Sequence, residues 1–543
     1  MNGAELFVHE LQKRGVTYIA TLCGHGLDTL FKACQDAGMR LVDVRNEQAA
    51  GYMAEVTGRL TRQVGVCAVS SGVAHANALT GVLNAHFDGA PMLLITGSGP
   101  TGTMGRGHFQ DMDQVAMVAP ICKYAQVIKS VDRIPLYVHE AFSAALAGRP
   151  GPVHVTFPMD VQTAEVEDRL RVNQGDNLSV SVGAGDGIGA LADALSKAKK
   201  PLMIAGNGLY YAHGEDALAR FVEAFPVPVV TPIWDRGSVP KKMDAFVGVI
   251  GAATGGASLM ADADLILMVG ARCDYRVGYL QRPAIGEDTI VARIDGDAQE
   301  LQQGIAAKIA IHADPSKVLG QLADEMIGRN IQFPVTWLKE TQARRDNFRK
   351  ACLDGRPKEA GRIYGCDIVR AVQEVLTDET VLLIDGGNIG QWAHQILCDR
   401  YPGHWMTCGA SGVVGYGIPG AMAAKVVYPD RPVLLISGDG SITFTIAEFE
   451  SAARQGLPFV ALLADDEAWG ITLAGHEDRF GRGIASELGA IDYVKMAESL
   501  GARGVRIKTV DEIVPAIGEG FEASVPTLIH VPSGRSNPAN RNQ

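Results

Sequence analysis

The chain has 543 residues, 47% of them hydrophobic, which is enough for about three domains with proper cores. A formal net charge of −12 excludes a nucleic-acid surface, which needs a basic face, and no apolar run reaches membrane-spanning length. Nine cysteines without CxxC or zinc-type spacing read as reduced thiols, and the opening Met1-Asn-Gly-Ala-Glu-Leu6 lacks the basic start of a signal peptide, so a cytoplasmic location is expected.

In chain order, a first block over residues 1–165 carries apolar runs expected to be strands at Tyr18–Leu22, Leu41–Val44, Val64–Val69, Met92–Thr96 and Val153–Phe157. After the second run, Asn46 is a good cap for a helix with Ala50, Met53, Val56 and Leu60 on one face, which puts Glu47 at a strand-to-helix junction. Taken alone, Glu47 is an acid favoured by the helix dipole. The run Gly97-Ser98-Gly99-Pro100-Thr101-Gly102 spells GxGxxG, yet Pro100 and the lack of a helix-like run after it leave a turn. A polar, glycine-rich stretch over 174–187 reads as a linker. The second block, 188–325, has runs at Leu202–Ala205, Val227–Val230, Leu265–Val269 and Ile290–Ile294, and charged, helix-prone sequence from Trp337 to Lys358 leads on. The third block, 360–535, has runs at Val381–Ile384, Trp405–Thr407, Val433–Ile436, Val460–Leu463 and Leu528–Val531. Alternation of this kind predicts an α/β protein of three doubly wound parallel sheets, each covered on both faces.

The third block holds the most specific signal. The run Pro432-Val-Leu-Leu-Ile-Ser437 empties into Gly438-Asp439-Gly440-Ser441, and Phe459-Val-Ala-Leu-Leu-Ala464 ends in Asp465-Asp466-Glu467-Ala468-Trp469-Gly470. Between them, Thr445-Ile-Ala-Glu448 spells a capping box, Ile446, Phe449 and Ala453 repeat at helical spacing, and Gly456 with Pro458 marks the stop. If the two strands are parallel neighbours, Asp439 and Asp466 lie together at the carboxyl edge of a sheet, where open α/β sheets place ligands. Two such carboxylates suit Mg²⁺, which takes one or two carboxylates and completes its shell with phosphate, water or carbonyl oxygens. Gly440 lets the backbone approach a diphosphate closely. Taken singly, each piece is an ordinary turn or a solvated loop tip.

The arrangement resembles the thiamine diphosphate signature, a GDG followed some two dozen residues later by an Asn-Asn or Asn-Asp pair, and Glu467-Ala-Trp-Gly470 resembles the acetolactate synthase and benzaldehyde lyase branch. This chain has Asp465-Asp466 at the pair. The resemblance implies thiamine diphosphate with Mg²⁺ held by Asp439, Asp466 and the carbonyl of Ala468. Arg45-Asn-Glu47-Gln-Ala-Ala50 is similar to the stretch that carries the activating glutamate, whose carboxyl protonates the aminopyrimidine. Three domains are then implied: pyrimidine-binding, central Rossmann-like and diphosphate-binding. Active sites between subunits of a homodimer or homotetramer follow from the same resemblance.

Further positions carry over. Gly387-Asn388-Ile389 stands where relatives contact the diphosphate; Ser411–Gly417 resembles LGTMGYG, with Gly412 in the turn and Val414 at the residue that wedges beneath the coenzyme. Ser70-Ser71-Gly72 and Asn77 match a turn beside the pyrimidine, and Gly438, Ser441, Trp469, Gly470 and Ile471 complete the coenzyme-binding set. His108-Phe109-Gln110-Asp111 resembles the loop whose Phe-Gln pair borders the substrate, so Phe109 is a substrate contact and Gln110 a hydrogen-bond donor; His25, after the first strand, is a candidate proton shuttle. Arg272-Cys-Asp-Tyr-Arg276-Val277 keeps the frame of the synthase motif whose arginine meets the acceptor carboxylate, so Arg276 favours a 2-oxo acid, the alternative being a structural pair with Asp274.

Two departures pull the other way. The tryptophan that synthases carry beyond the metal-site acid is Gly475 here, and Gly251-Ala-Ala-Thr254 replaces the Gly-Met-His-Gly expected beside a flavin, which speaks against FAD. Gly26–Phe31, Asp113–Met117 and Trp469–Leu473 look closer to benzaldehyde lyase and 2-hydroxyacyl-CoA lyase, while Ile471–Ile484, with His476, Arg479 and Arg482, matches neither branch. The expected activity is acetolactate synthase-like carboligation of 2-oxo acids, with acyloin or 2-hydroxyacyl-CoA cleavage as the alternative. A catalytically silent cofactor-binding paralogue is a third reading, against which Glu47 counts.

Overall fold

Apolar runs bounded by glycine and polar turns become strands throughout this computed structural model, whose described residues are 1–166, 185–235, 239, 242–251, 258–354, 361–397 and 404–536. The first sheet contains β1 Tyr18–Leu22, β2 Arg40–Asp43, β3 Gly65–Val69, β4 Met92–Ser98, β5 Tyr124–Val127 and β6 Pro152–Pro158 in the order β2-β1-β3-β4-β6-β5. The second contains β7 Pro201–Ala205, β8 Val229–Pro232, β9 Phe246–Ile250, β10 Leu265–Val269, β11 Ile290–Asp295 and β12 Ile309–His312 in the order β12-β11-β10-β7-β8-β9. The third contains β13 Val381–Asp385, β14 His404–Thr407, β15 Val433–Gly438, β16 Val460–Asp465, β17 Arg503–Arg506 and β18 Thr527–Pro532 in the order β14-β13-β15-β16-β18-β17. Every strand pairing within the three sheets is parallel, as the alternating pattern predicts.

In each sheet the strand order switches direction about a central pair of strands, and that switch opens a crevice at their carboxyl ends. The crevice lies between β1 and β3 in the first sheet, β7 and β10 in the second, and β13 and β15 in the third. Those strand ends lead into Cys23–His25 and Ser70-Ser71, into Asn207 and Arg272, and into Gly387-Asn388 and Asp439 respectively. The topology thus delivers the candidate residues of the first and third sheets to ligand-binding edges.

The sheets share their interiors. One apolar cluster joins Tyr52, Met53 and Val56 of the first sheet's layers to Leu383, Tyr416, Met422 and Phe449 of the third's, and a second joins Leu218, Phe221 and Leu267 to Trp392, Leu434 and Ile513. Where the three meet, a buried ion network forms. Arg59 pairs with Glu55 at 3.0 Å and Asp88 at 3.3 Å, donates to the Thr407 carbonyl at 3.0 Å, and receives the Tyr210 hydroxyl on its own carbonyl at 2.7 Å. Asp88 also accepts the Ala410 amide at 2.8 Å.

Several expectations change in detail. Strands β5, β9, β12 and β17 lie at sheet edges, where half-exposed sequence or, in β9, an interior Gly248 breaks the apolar run that marks a strand. The GxGxxG stretch is not all turn: β4 runs through Gly97 and Ser98, and a short 3₁₀ turn follows at Thr101–Thr103. The capping box at Thr445–Glu448 does not form. The Thr445 hydroxyl donates to the Gly415 carbonyl at 2.7 Å, and the Glu448 carboxylate is drawn to the Arg45 amide, so the helix Glu448–Arg454 begins without a side-chain cap. Asn46, in contrast, caps the helix Glu47–Thr61 by accepting the Gln48 amide at 2.8 Å. The charged connector is the helix Thr336–Asp354, while the stretch proposed as a linker lies outside the described residues up to 184, as do Ala252, Ala253 and Thr254.

Candidate functional site

In the third sheet, Gly438 of β15 sits in register with Ala464 of β16, so Asp439 and the Asp465-Asp466 pair emerge side by side. Asp439 accepts the Ala468 amide at 3.2 Å, and Asp466 accepts the side-chain amide of Asn388 at 2.8 Å. Both carboxylates are buried. Burial, and then the negative charges of Asp466 and Asp465, push Asp439 up to about 8; burial also raises Asp466. Two acids held this way could take a cation between them.

The backbone around them is close-fitting. A Cβ on Gly470 would come within 2.2 Å of Asn388 Nδ2 and 2.3 Å of Asp466 Oδ2, and one on Gly440 within 2.6 Å of the Trp469 ring. Glycine is therefore favoured at 470 by contact with the carboxylate site and at 440 by contact with the Trp469 ring. Gly387, Asn388, Ile389, Gly438, Asp439 and Asp466 line a small common cavity. Ser441 packs against Gly386, and Val414 lies 3.4 Å from the Cβ position of that same glycine. The Val414 carbonyl accepts the Tyr52 hydroxyl at 3.3 Å, which ties this loop to the helix that begins with Glu47. All-oxygen donors, a cradle that only glycine permits and a cavity at a helix start fit Mg²⁺ with a diphosphate.

A second group forms on the first sheet. Glu47 accepts the side-chain amide of Asn77 at 3.0 Å. The Gln110 carbonyl oxygen accepts Ser71 Oγ at 3.1 Å and Ser70 Oγ at 3.4 Å, and Ser70 Oγ also donates to the His25 carbonyl at 2.7 Å. His25 stacks on His108, with ring centroids 5.8 Å apart, and meets Phe109 edge-on at 5.3 Å. His25 Nε2 is buried with no partner among the described residues.

Other predicted residues stand apart. Arg276 is 3% exposed, pairs with Asp274 at 2.8 Å and with Asp235, and donates to the Ile233 carbonyl at 3.2 Å. It lines a cavity of about 190 Å³ between the first and second sheets, together with Asp88, Arg149, Arg272 and Asp295. Phe109 and Ile471 are 62% and 45% exposed, and Gly412 is exposed in a turn.

Three further buried residues support the site: Asp385, Glu448 and His530. Asp385 accepts the Gly415 amide at 3.1 Å and the Gly417 amide at 2.9 Å, and burial pushes it up to about 7. Like Asp439, it is an acid that ends an apolar run, and that signal was available. Glu448 was hidden by its capping-box spelling, and His530 by its place inside an apolar strand.

Comparison with known proteins agrees with this geometry. Family models for the thiamine pyrophosphate enzymes match all three parts: the N-terminal TPP binding domain over residues 1–117, the central domain over 188–322 and the C-terminal TPP binding domain over 385–531. The chain belongs to this family, as a thiamine diphosphate-dependent enzyme that forms or cleaves carbon–carbon bonds. It is similar to a probable acetolactate synthase of Mycobacterium bovis, 29% identical over 536 residues that cover 98% of this chain and 95% of the relative. A probable acetolactate synthase large subunit of Methanocaldococcus jannaschii is 28% identical, covering 98% and 92%. The 2-hydroxyacyl-CoA lyase 2 of Caenorhabditis elegans is 28% identical, covering 94% and 85%.

Proposed function

We propose that the protein is an acetolactate synthase-like carboligase that takes its acyl unit from a 2-oxo acid and transfers it to a second carbonyl compound. The observation that carries this reading is the convergence of Asp439, Asp466, Asn388 and Gly470 at one crevice, in a chain that keeps Glu47 hydrogen-bonded to Asn77. Asp439, Asp466 and the Ala468 carbonyl hold Mg²⁺ in this proposal, with Gly387, Asn388, Ile389, Gly412, Gly438, Gly440, Ser441, Trp469, Gly470 and Ile471 around the diphosphate end and Val414 beneath the ring system. Ser71 and Asn77 border the pyrimidine.

When bound, thiamine diphosphate supplies an acyl-anion equivalent at the thiazolium carbon. Glu47 holds a proton against the far ring nitrogen of the pyrimidine, and Asn77 fixes the carboxyl that does so. Because its oxygen is engaged by Ser70 and Ser71, Gln110 offers only its N–H groups to a substrate oxygen. His25 carries an unengaged ring nitrogen on the same wall and moves a proton to or from that oxygen. Phe109 keeps water from it.

We take the working unit to be a homodimer or homotetramer. Val73 and Phe109 on the first half-site and Phe444 and Ile471 on the third-sheet half-site are exposed apolar side chains that a second copy would cover. FAD is left out of the proposed holoenzyme, since Gly251-Ala-Ala-Thr254 replaces the Gly-Met-His-Gly expected beside a flavin. A reducing, cytoplasmic setting suits the free cysteines, and no helix among the described residues is long and apolar enough to cross a membrane.

Burial of Arg276 in two ion pairs favours a second reading, cleavage of an acyloin or a 2-hydroxyacyl-CoA, because it removes the guanidinium that would recognise an oxo-acid carboxylate. Purified protein supplied with thiamine diphosphate, Mg²⁺ and pyruvate is expected to give acetolactate by mass analysis. Untouched pyruvate with cleavage of benzoin or a 2-hydroxyacyl-CoA would overturn the first reading in favour of the second.

A further inference from the structure

Asp465 is a carboxylate where relatives of the signature carry an asparagine, and the structure shows where its charge goes. Its Oδ1 accepts the Glu467 amide at 3.1 Å, and its Oδ2 accepts His530 Nε2 at 2.9 Å, so both oxygens are engaged by groups other than Asp439 and Asp466. His530 stands opposite Leu463 on the neighbouring strand β18, buried, with its ring edge-on to Tyr493 at 5.4 Å. The turn itself needs support, because Glu467 occupies the left-handed region at φ 54°.

Two arginines supply it. Arg362 donates to the Asp465 carbonyl at 3.1 Å and the Ser533 carbonyl at 2.9 Å, and pairs with the Glu467 carboxylate at 2.9 Å. Arg535 donates to the Asp466 carbonyl at 3.1 Å and the Glu467 carbonyl at 3.4 Å. The two arginines and His530 thus all present hydrogens to oxygens of this turn, and a carboxylate at 465 is the side chain that accepts on both sides.

We propose that His530, with Arg362 and Arg535, is a positioning group for the cation site: it locks the Asp465–Ala468 turn in the shape that keeps Asp466 beside Asn388 and Ala468 beside Asp439. The proposal rests on the reading of Asp439 and Asp466 as cation ligands. Residues that orient metal ligands in this way typically set affinity by about 10–100-fold.

Calorimetry of thiamine diphosphate binding with Mg²⁺, alongside melting of the coenzyme-free protein, tests it. His530→Ala is expected to weaken Mg²⁺-dependent binding about tenfold or more, because it strands a buried carboxylate beside the ligands. Asp465→Asn in the same chain is expected to restore affinity to within about threefold of wild type, and His530→Gln, which keeps a donor, to hold it there. Arg535→Ala is expected to weaken binding as His530→Ala does, and serves if that variant does not fold. Wild-type affinity in His530→Ala and Arg535→Ala, or a loss that Asp465→Asn does not restore, would overturn the clamp. Absence of Mg²⁺-dependent binding in the wild type would instead overturn the cation reading.

Discussion

The Glu448 carboxylate accepts the backbone amide of Arg45 at 2.9 and 3.1 Å through its two oxygens, so a residue of the third sheet's layer grips the strand-to-helix junction that carries Glu47. Burial pushes this acid up to about 7. Below its ordinary value of 4.5 it is protonated in both folded and unfolded chains; between that value and about 7 the unfolded chain ionises first, so its contribution to stability declines as pH rises through that window. Glu448→Gln should make that decline shallower by roughly 1–3 kcal/mol in total. Urea titrations at pH 5 and pH 7.5 measure it.

Glu47→Gln removes the ionisable group but keeps the contact to Asn77. Turnover is expected to fall about 10²–10⁴-fold while coenzyme affinity stays near wild type. Steady-state rates beside calorimetry decide the point, and a variant that turns over normally would mean that another acid activates the coenzyme.

Asp466→Ala takes away a buried carboxylate and leaves the Asn388 amide without its acceptor. Mg²⁺-dependent coenzyme binding should drop by about 100-fold or more, and Asn388→Ala, which only frees Asp466 to move, by about 10–100-fold. Chelation of the metal from wild-type protein should reproduce the larger effect.

Gly470→Ala drives a methyl group into Asn388 and Asp466, both within 2.3 Å of its position. Relief requires the carboxylate to move, so coenzyme binding is expected to be lost, with destabilisation of roughly 1–3 kcal/mol. Thermal melts with and without coenzyme separate the two effects.

At the meeting point of the sheets, Arg59→Ala leaves Glu55 and Asp88 buried without their guanidinium. Loss of about 3–5 kcal/mol is expected in chemical denaturation.

The sequence was legible where one physical rule acted alone. Buried parallel strands such as β10 and β15 are unbroken apolar runs, and Asn46 caps its helix because nothing competes for its side chain. It misled where a distant partner took over a local signal: Thr445 and Glu448 spell a cap but bond to Gly415 and Arg45. Strands β5, β12 and β17 escaped because their half-exposed residues break the apolar run, and β9 because Gly248 interrupts it. His530 could not have been assigned from its neighbours, because its partner lies across a strand pairing, 65 positions away.

The apolar interior that runs from Tyr52 and Met53 into Tyr416 and Met422 makes the first and third sheets one cooperative body, although they stand far apart along the chain. Excising either as a fragment would bare a greasy wall to solvent, so the pieces that look separable in the primary structure are not separable in folding.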